Sequence, residues 1–172
     1  MKLSESLLQA FSDQITLELQ SSIVYLQLAI ALDDHNLPGM ANWMRVQSDE
    51  ERLHALRFIT HVTDRGGRPM IGAMTAPGDV GRTVLEAFRT SLEHEEKVSE
   101  SIRSLYRAVQ AEGDIDAIPL LNFFVEEQIE EEATVSEIVG RLEMIGDDGT
   151  GLLRLDSELA TRQPPAAAGP GA

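Results

Sequence analysis

FFVEEQIEEEATVSEIV, residues 123–139, packs five glutamates into positions 126–132 of a segment whose apolar residues recur with helical spacing. Like charges one turn apart destabilise a helix by roughly a few tenths of a kcal/mol per pair. The crowding poses the question of which of these side chains point inward. A packed seam alternates steps of three and four residues. Here it runs Leu121, Phe124, Gln128, Glu131, Val135, Ile138, Leu142, Ile145. Glu131 is the glutamate that falls in phase.

Three other long segments show the same periodicity, so the helices expected are 5–34, 39–65, 82–112 and 116–146. Helix-ending chemistry separates them: LPG at 37–39, GG at 66–67 with Pro69 following, EGD at 112–114, and GDDGTG at 146–151. LLRLDSELATR (152–162) forms a shorter amphipathic fifth helix with Leu152, Leu155 and Leu159 as its stripe. QPPAAAGPGA (163–172) has the composition of a disordered tail, leaving 1–162 as one domain.

The connections set the topology. Short first and third connections make antiparallel neighbours. The middle one, Gly66 to Val80, can reach ~50 Å at about 3.3 Å per residue. A 30-residue helix is ~45 Å long. The middle connection can therefore climb the whole bundle and leave the second and third helices parallel. The expected fold is all-α, a four-helix bundle with one long crossover and a short fifth C-terminal helix.

The remaining seams behave like the fourth. The first is Leu8, Phe11, Ile15, Glu18, Ser22, Tyr25, Ala29, Leu32, and the second is Met40, Met44, Gln47, Glu51, His54, Phe58, His61. The third is Leu85, Phe88, Leu92, Glu95, Ser99, Ile102, Tyr106, Val109. Each is apolar at its ends and interrupted near its middle by one glutamate. In the expected topology the four carboxylates fall within about one turn of the same level. No lysine or arginine occupies a seam position. Ionised carboxylates in a core need a pair or a metal. Protonated glutamates sharing hydrogen bonds, or a shifted phase that turns them to water, remain alternatives. Four in phase at one level, with His54 one turn from Glu51, favour a metal. Oxygen donors with one imidazole and no thiolate suit iron or manganese.

Composition agrees. The 172 residues carry 14 Lys+Arg against 29 Asp+Glu, a formal charge of −15, which argues against nucleic acid or an anionic membrane as partner and favours cations. There is no cysteine, so disulfides and Cys-ligated metals are excluded. No signal-like stretch or run of 18 apolar residues occurs, and a cytoplasmic protein is expected. His35, His61 and His94 are isolated histidines, read as structural or surface groups.

Glu51-Arg-Leu-His54 is a Glu-x-x-His pair, an arrangement already described for ferritin-like di-metal bundles. With LELQSSIVYLQL, DEERLHA, HEEKV, EEQIEEE and GLLRLDSEL, the chain resembles bacterial non-haem ferritins over residues 4–162. The resemblance implies a ferroxidase that takes Fe(II) with oxygen or hydrogen peroxide and stores ferric mineral in a hollow homo-oligomer of 24 subunits. It implies that Glu18, Glu51 and His54 hold a first iron, that Glu51 bridges, and that Glu95 and Glu131 hold a second. Gln128 and Tyr25 match the family's supporting glutamine and tyrosine, while Glu50, Glu127 and Glu130 resemble a third iron site. Arg52 stands where haem-bearing relatives carry methionine, so no haem is expected. Two other functions fit the same residues: a di-iron peroxide scavenger with little storage, and a metal-free interaction bundle.

Overall fold

A computed structural model describes residues 2–164 of the chain. Its helices are α1 (Glu5–Asp34), α2 (Pro38–Asp64), α3 (Val84–Glu112), α4 (Ile118–Ile145) and α5 (Gly149–Leu159), with a 3-10 turn at Ile115–Ala117 before α4. Among the described residues there is no strand. The expected tail falls, from residue 165 onward, outside the described residues.

Local chemistry sets most boundaries. The Ser4 hydroxyl accepts from the Leu7 amide and the Thr83 hydroxyl from Glu86, each capping a helix start. Gly113, at φ 68°, closes α3 in the left-handed conformation. The GDDGTG stretch contains a start as well as a stop. The Asp148 carboxylate accepts from the Thr150 and Gly151 amides, so α5 begins at Gly149, earlier than its leucine stripe suggests.

The crossover, residues 65–83, lies along α1. Successive polar side chains on one face of α1 take up its backbone groups: Ser12 accepts from Met70 N–H, Thr16 from Gly72 N–H, and Gln20 from Thr75 N–H while donating to Thr75 C=O. Each step of four helix residues rises about 6 Å; the crossover matches the first with two residues and the second with three, so it climbs alongside α1, fully extended only in the first step. The crossover starts where Gly67 meets Leu8 and ends where Gly81 meets Leu28 and Ala31. It therefore spans the bundle and makes α2 and α3 parallel, as its length predicts. α1 is apolar enough in composition to cross a membrane, but its stripe from Leu7 to Leu32 is spent on the core.

Two apolar clusters fill the bundle ends. One gathers Leu28, Leu32, Met40, Met44, Phe88 and Leu142 with Leu155 and Leu159 of α5. The other gathers Phe11, Ile15, Phe58, Ile102, Leu121 and Phe124. Between them lies a polar waist.

α5 docks on its own bundle through a particular contact. Gly39 is the second residue of α2, which starts one residue earlier than expected because Pro38 is tolerated in the first helical turn. A Cβ at Gly39 would lie 1.9 Å from the Asp156 carbonyl oxygen, so only glycine admits α5 this closely. Leu37 provides no side-chain cap, and the Asp156 carboxylate instead accepts from Met40 N–H at 2.8 Å. We therefore expect Gly39→Ala to destabilise the subunit by about 1–3 kcal/mol through overpacking. Asp156→Ala should cost about 1 kcal/mol through loss of the cap. Thermal melting of both variants checks this, and an unchanged midpoint for Gly39→Ala would contradict the docking geometry.

Candidate metal centre

The waist is where every helix of the bundle contributes a glutamate. Glu18, Glu51 and Glu95 are at most 2% exposed and Glu131 is 7% exposed. The seam phase is therefore correct, and the water-facing alternative fails for all four. His54, at 6%, lies beside Glu51 with Nδ1 3.5 Å from Oε2. The ring is held edge-on against Phe124 at 5.2 Å, and Phe124 is itself stacked on Phe58 at 4.1 Å.

Neutral donors fix one oxygen each of Glu18, Glu51 and Glu131, and both oxygens of Glu95. The Gln14 amide donates to Glu18 Oε1 at 2.7 Å. The Gln47 amide donates to both Glu51 Oε1 and Glu131 Oε2 at 3.1 Å, tying α2 to α4. Gln128 donates to Glu95 Oε2 at 3.2 Å, and the Tyr25 phenol donates to Glu95 Oε1. Ser91 in turn donates to the Tyr25 oxygen at 3.0 Å. Tyr25 thus sits beside Glu95, one of the two glutamates that the sequence resemblance assigns to the second iron. Gln14, Gln47, Ser91 and Phe124 complete the surround.

The orphaned atoms define what the waist can hold. Glu18 Oε2, Glu51 Oε2 and His54 Nδ1 are buried without a hydrogen-bond partner. Ligand atoms of these three residues lie within 4.8 Å of one another, a spacing that one cation can close. A second group within the same limit joins Glu50, Glu127 and Glu131. Glu130 is not in it and is exposed, although its charge reaches Glu127. Of the remaining glutamates in the opening stretch, Glu126 is exposed and Glu132 pairs with Arg103 at 3.2 Å. The isolated histidines have ordinary partners: Gly81 for His35, Arg65 for His61 and Ser21 for His94.

Protons hold the waist together without metal. Burial, followed by the charge of Glu51, pushes Glu18 well above the carboxylate range, and burial with Glu51 and Glu131 does the same to Glu95. Burial and the charges of Glu51 and Glu50 raise Glu131 to about 7. Burial opposes a charged imidazole at His54, but Glu51, Glu18 and Glu131 outweigh it and raise it to about 10. Burial also opposes charge on Glu51, yet hydrogen bonding and charge from His54 keep it below its ordinary value. Burial, then Glu95 and Glu51, keep Tyr25 a neutral phenol.

A buried carboxylate-and-imidazole cluster spanning the four long helices defines the class as a metal-binding helical bundle. The comparisons specify it further. A family model described as a ferritin-like domain matches residues 8–145. A probable bacterial non-heme ferritin-like protein of Haemophilus influenzae is 34% identical over 157 residues, covering 91% of this chain and 95% of its own. A bacterial non-heme ferritin of Staphylococcus aureus is 34% identical over 160 residues, covering 93% and 96%. An open pore ferritin from Archaeoglobus fulgidus superposes with TM-score 0.91 at 39% identity, over 94% of this chain and 100% of that one. The chain belongs to the ferritin family, among the bacterial non-haem ferritins.

The proton inventory has a measurable sign. Glu131 and His54 bind protons more tightly folded than unfolded, between about 4.5 and 7 and between about 6.5 and 10 respectively. These two groups therefore make the metal-free protein less stable as pH rises through both windows, while His61 and His94, held down by burial, oppose them only below the ordinary histidine range. Glu51, with a lowered pKa, is ionised throughout and contributes no opposing slope there. The apo protein should melt at lower temperature at pH 9 than at pH 6, and saturating Zn(II) should reduce the dependence. A rising midpoint over that range would contradict the assignment.

Proposed function

We propose that this ferritin oxidises Fe(II) in the waist of each subunit and stores the ferric product, with Glu18, Glu51, His54, Glu95 and Glu131 as ligands of two iron ions. The observation that carries this is the convergence within 4.8 Å of buried ligand atoms from Glu18, Glu51 and His54, which have only one another and their own protons for company. Glu18 and His54 bind one ion, Glu51 bridges, and Glu95 and Glu131 bind the other. Iron is the substrate here. Two Fe(II) lose two electrons, and O2 gains them with two protons to give H2O2. With hydrogen peroxide as oxidant, the same two electrons and two protons give two waters.

The protein's part is to hold and release protons at defined atoms. Iron entry displaces the protons on Glu18, Glu95 and His54, since each must offer a lone pair. Gln47 fixes the outer oxygens of Glu51 and Glu131, and Gln14 that of Glu18, leaving the inner oxygens to ligate. Tyr25 and Gln128 orient Glu95 from opposite oxygens. The apolar clusters above and below exclude water from the ion pair.

Glu50 and Glu127 with Glu131 form an outer site for a third ion in this reading, with Glu130 outside the group. Assembly into a 24-subunit shell in the cytoplasm fits the same reading. It is supported by Ile23, Leu26 and Ile30 on α1 and Leu56 on α2, apolar side chains 40–55% exposed on the isolated subunit.

Aerobic Fe(II) titration, then size exclusion with iron counting, tests the function: iron should co-elute with a large particle in excess of the waist sites. Glu18→Ala and His54→Ala should each slow the fast phase of oxidation at least about tenfold, the order of loss for removing a ligand or its support. Without metal, His54→Ala should melt lower than wild type, because it leaves Glu51 a buried charge without its partner. Wild-type rates in both variants would rule out the assigned ligands.

A further inference from the structure

Beyond α5 the chain makes one more contact with the metal-binding region. Arg162 is anchored by its backbone, with its amide bonded to Leu159 C=O and its own carbonyl accepting from Asn42 at 3.4 Å. Its guanidinium lies 4.4 Å over the ring of Trp43, and its Nη2 donates to Glu50 Oε2 at 2.6 Å. Glu50 is one of the three carboxylates whose ligand atoms converge at the outer site. Arg162 also acts electrostatically on Glu131, the carboxylate shared between that site and the waist. Its Nη1 is buried without a partner. The outer site thus contains a cation supplied by the chain itself.

We propose that Arg162 is a tethered counter-cation that competes with a third metal ion for Glu50, so that the outer site fills only when Arg162 is displaced. This rests on the outer-site reading given above. The geometry favours competition over cooperation. A metal ion at Glu50 would draw on the carboxylate that Nη2 already holds, and a second positive charge would lie close to the guanidinium in a partly buried setting. The pair is only about one-fifth exposed on each side, so solvent screens it less than an open surface pair. The stacking on Trp43 gives the guanidinium a defined resting place and gives the experiment a reporter, because Trp43 is the only tryptophan in the chain.

The test is Zn(II) titration of the assembled apo protein, followed by calorimetry and by Trp43 fluorescence, in wild type, Arg162→Gln, Arg162→Lys and Glu50→Gln. Zn(II) is redox-inert, so no oxidation step enters the readout. Expected in wild type is a tight class of ions, then a weaker class whose filling shifts Trp43 emission. Arg162→Gln should tighten the weaker class by at least about tenfold, the order for removing one nearby charge. Arg162→Lys should stay closer to wild type, and Glu50→Gln should lose the weaker class. A weaker class that disappears in Glu50→Gln but has equal affinity in wild type and Arg162→Gln, with Trp43 silent, overturns the role of Arg162 alone. If no ion binds beyond the tight class in any variant, the outer-site reading falls and the competition falls with it.

Discussion

Four glutamates must sit in the middle of a helical bundle with no lysine or arginine at any seam position, and the rest of the architecture accommodates that requirement. Left ionised and unpaired, such groups would carry a desolvation cost far beyond what a small domain can absorb. The metal-free subunit meets it in two ways. Burial and mutual repulsion keep Glu18 and Glu95 protonated, while the Glu51–His54 pair provides the charge that remains. Amide groups from Gln14, Gln47 and Gln128 satisfy the oxygens turned away from the centre. Amides are well suited to this position, since they donate hydrogen bonds without adding a positive charge that would compete with iron.

Stability then comes from the ends of the bundle. The two apolar clusters are separated by the waist, so each must be secured independently. At one end α5 lays Leu155 and Leu159 over the cluster and caps α2 through Asp156. At the other, Arg65 pairs with the buried Asp114 at 2.7 Å, joining the end of α2 to the connection between α3 and α4. The crossover adds a ladder of side-chain hydrogen bonds along α1. This division lets the centre be chosen for chemistry while its flanks supply the folding energy.

The helices and the inward glutamates were legible because a 3,4 spacing carried over a long helix fixes its phase, and four phases that agree are hard to produce by accident. What escaped depends on distances between helices. Gln47 lies on the seam, but its span from Glu51 to Glu131 requires knowing how near α4 approaches α2. Gln14 lies off the seam path, one position before Ile15, and becomes meaningful only through Glu18 one turn on. Gly39 reads as part of the LPG helix boundary, and its need to be glycine shows only when α5 is seen packed on it. Asp148 begins α5 within a stretch that by composition alone looks like an ending. Arg162 meets Glu50 across 112 residues of sequence, which no local pattern announces. Glu130 and Glu131 are adjacent in sequence, and only helical rotation separates the exposed one from the buried one.

The central claim is that the waist itself binds a pair of iron ions. The most direct measurement is anomalous diffraction at the iron edge from crystals of metal-free protein soaked anaerobically with Fe(II). The account predicts two neighbouring peaks in each subunit, one touching Glu18, Glu51 and His54, the other touching Glu51, Glu95 and Glu131. Iron found only on surface carboxylates, with no peak in the waist, would contradict it.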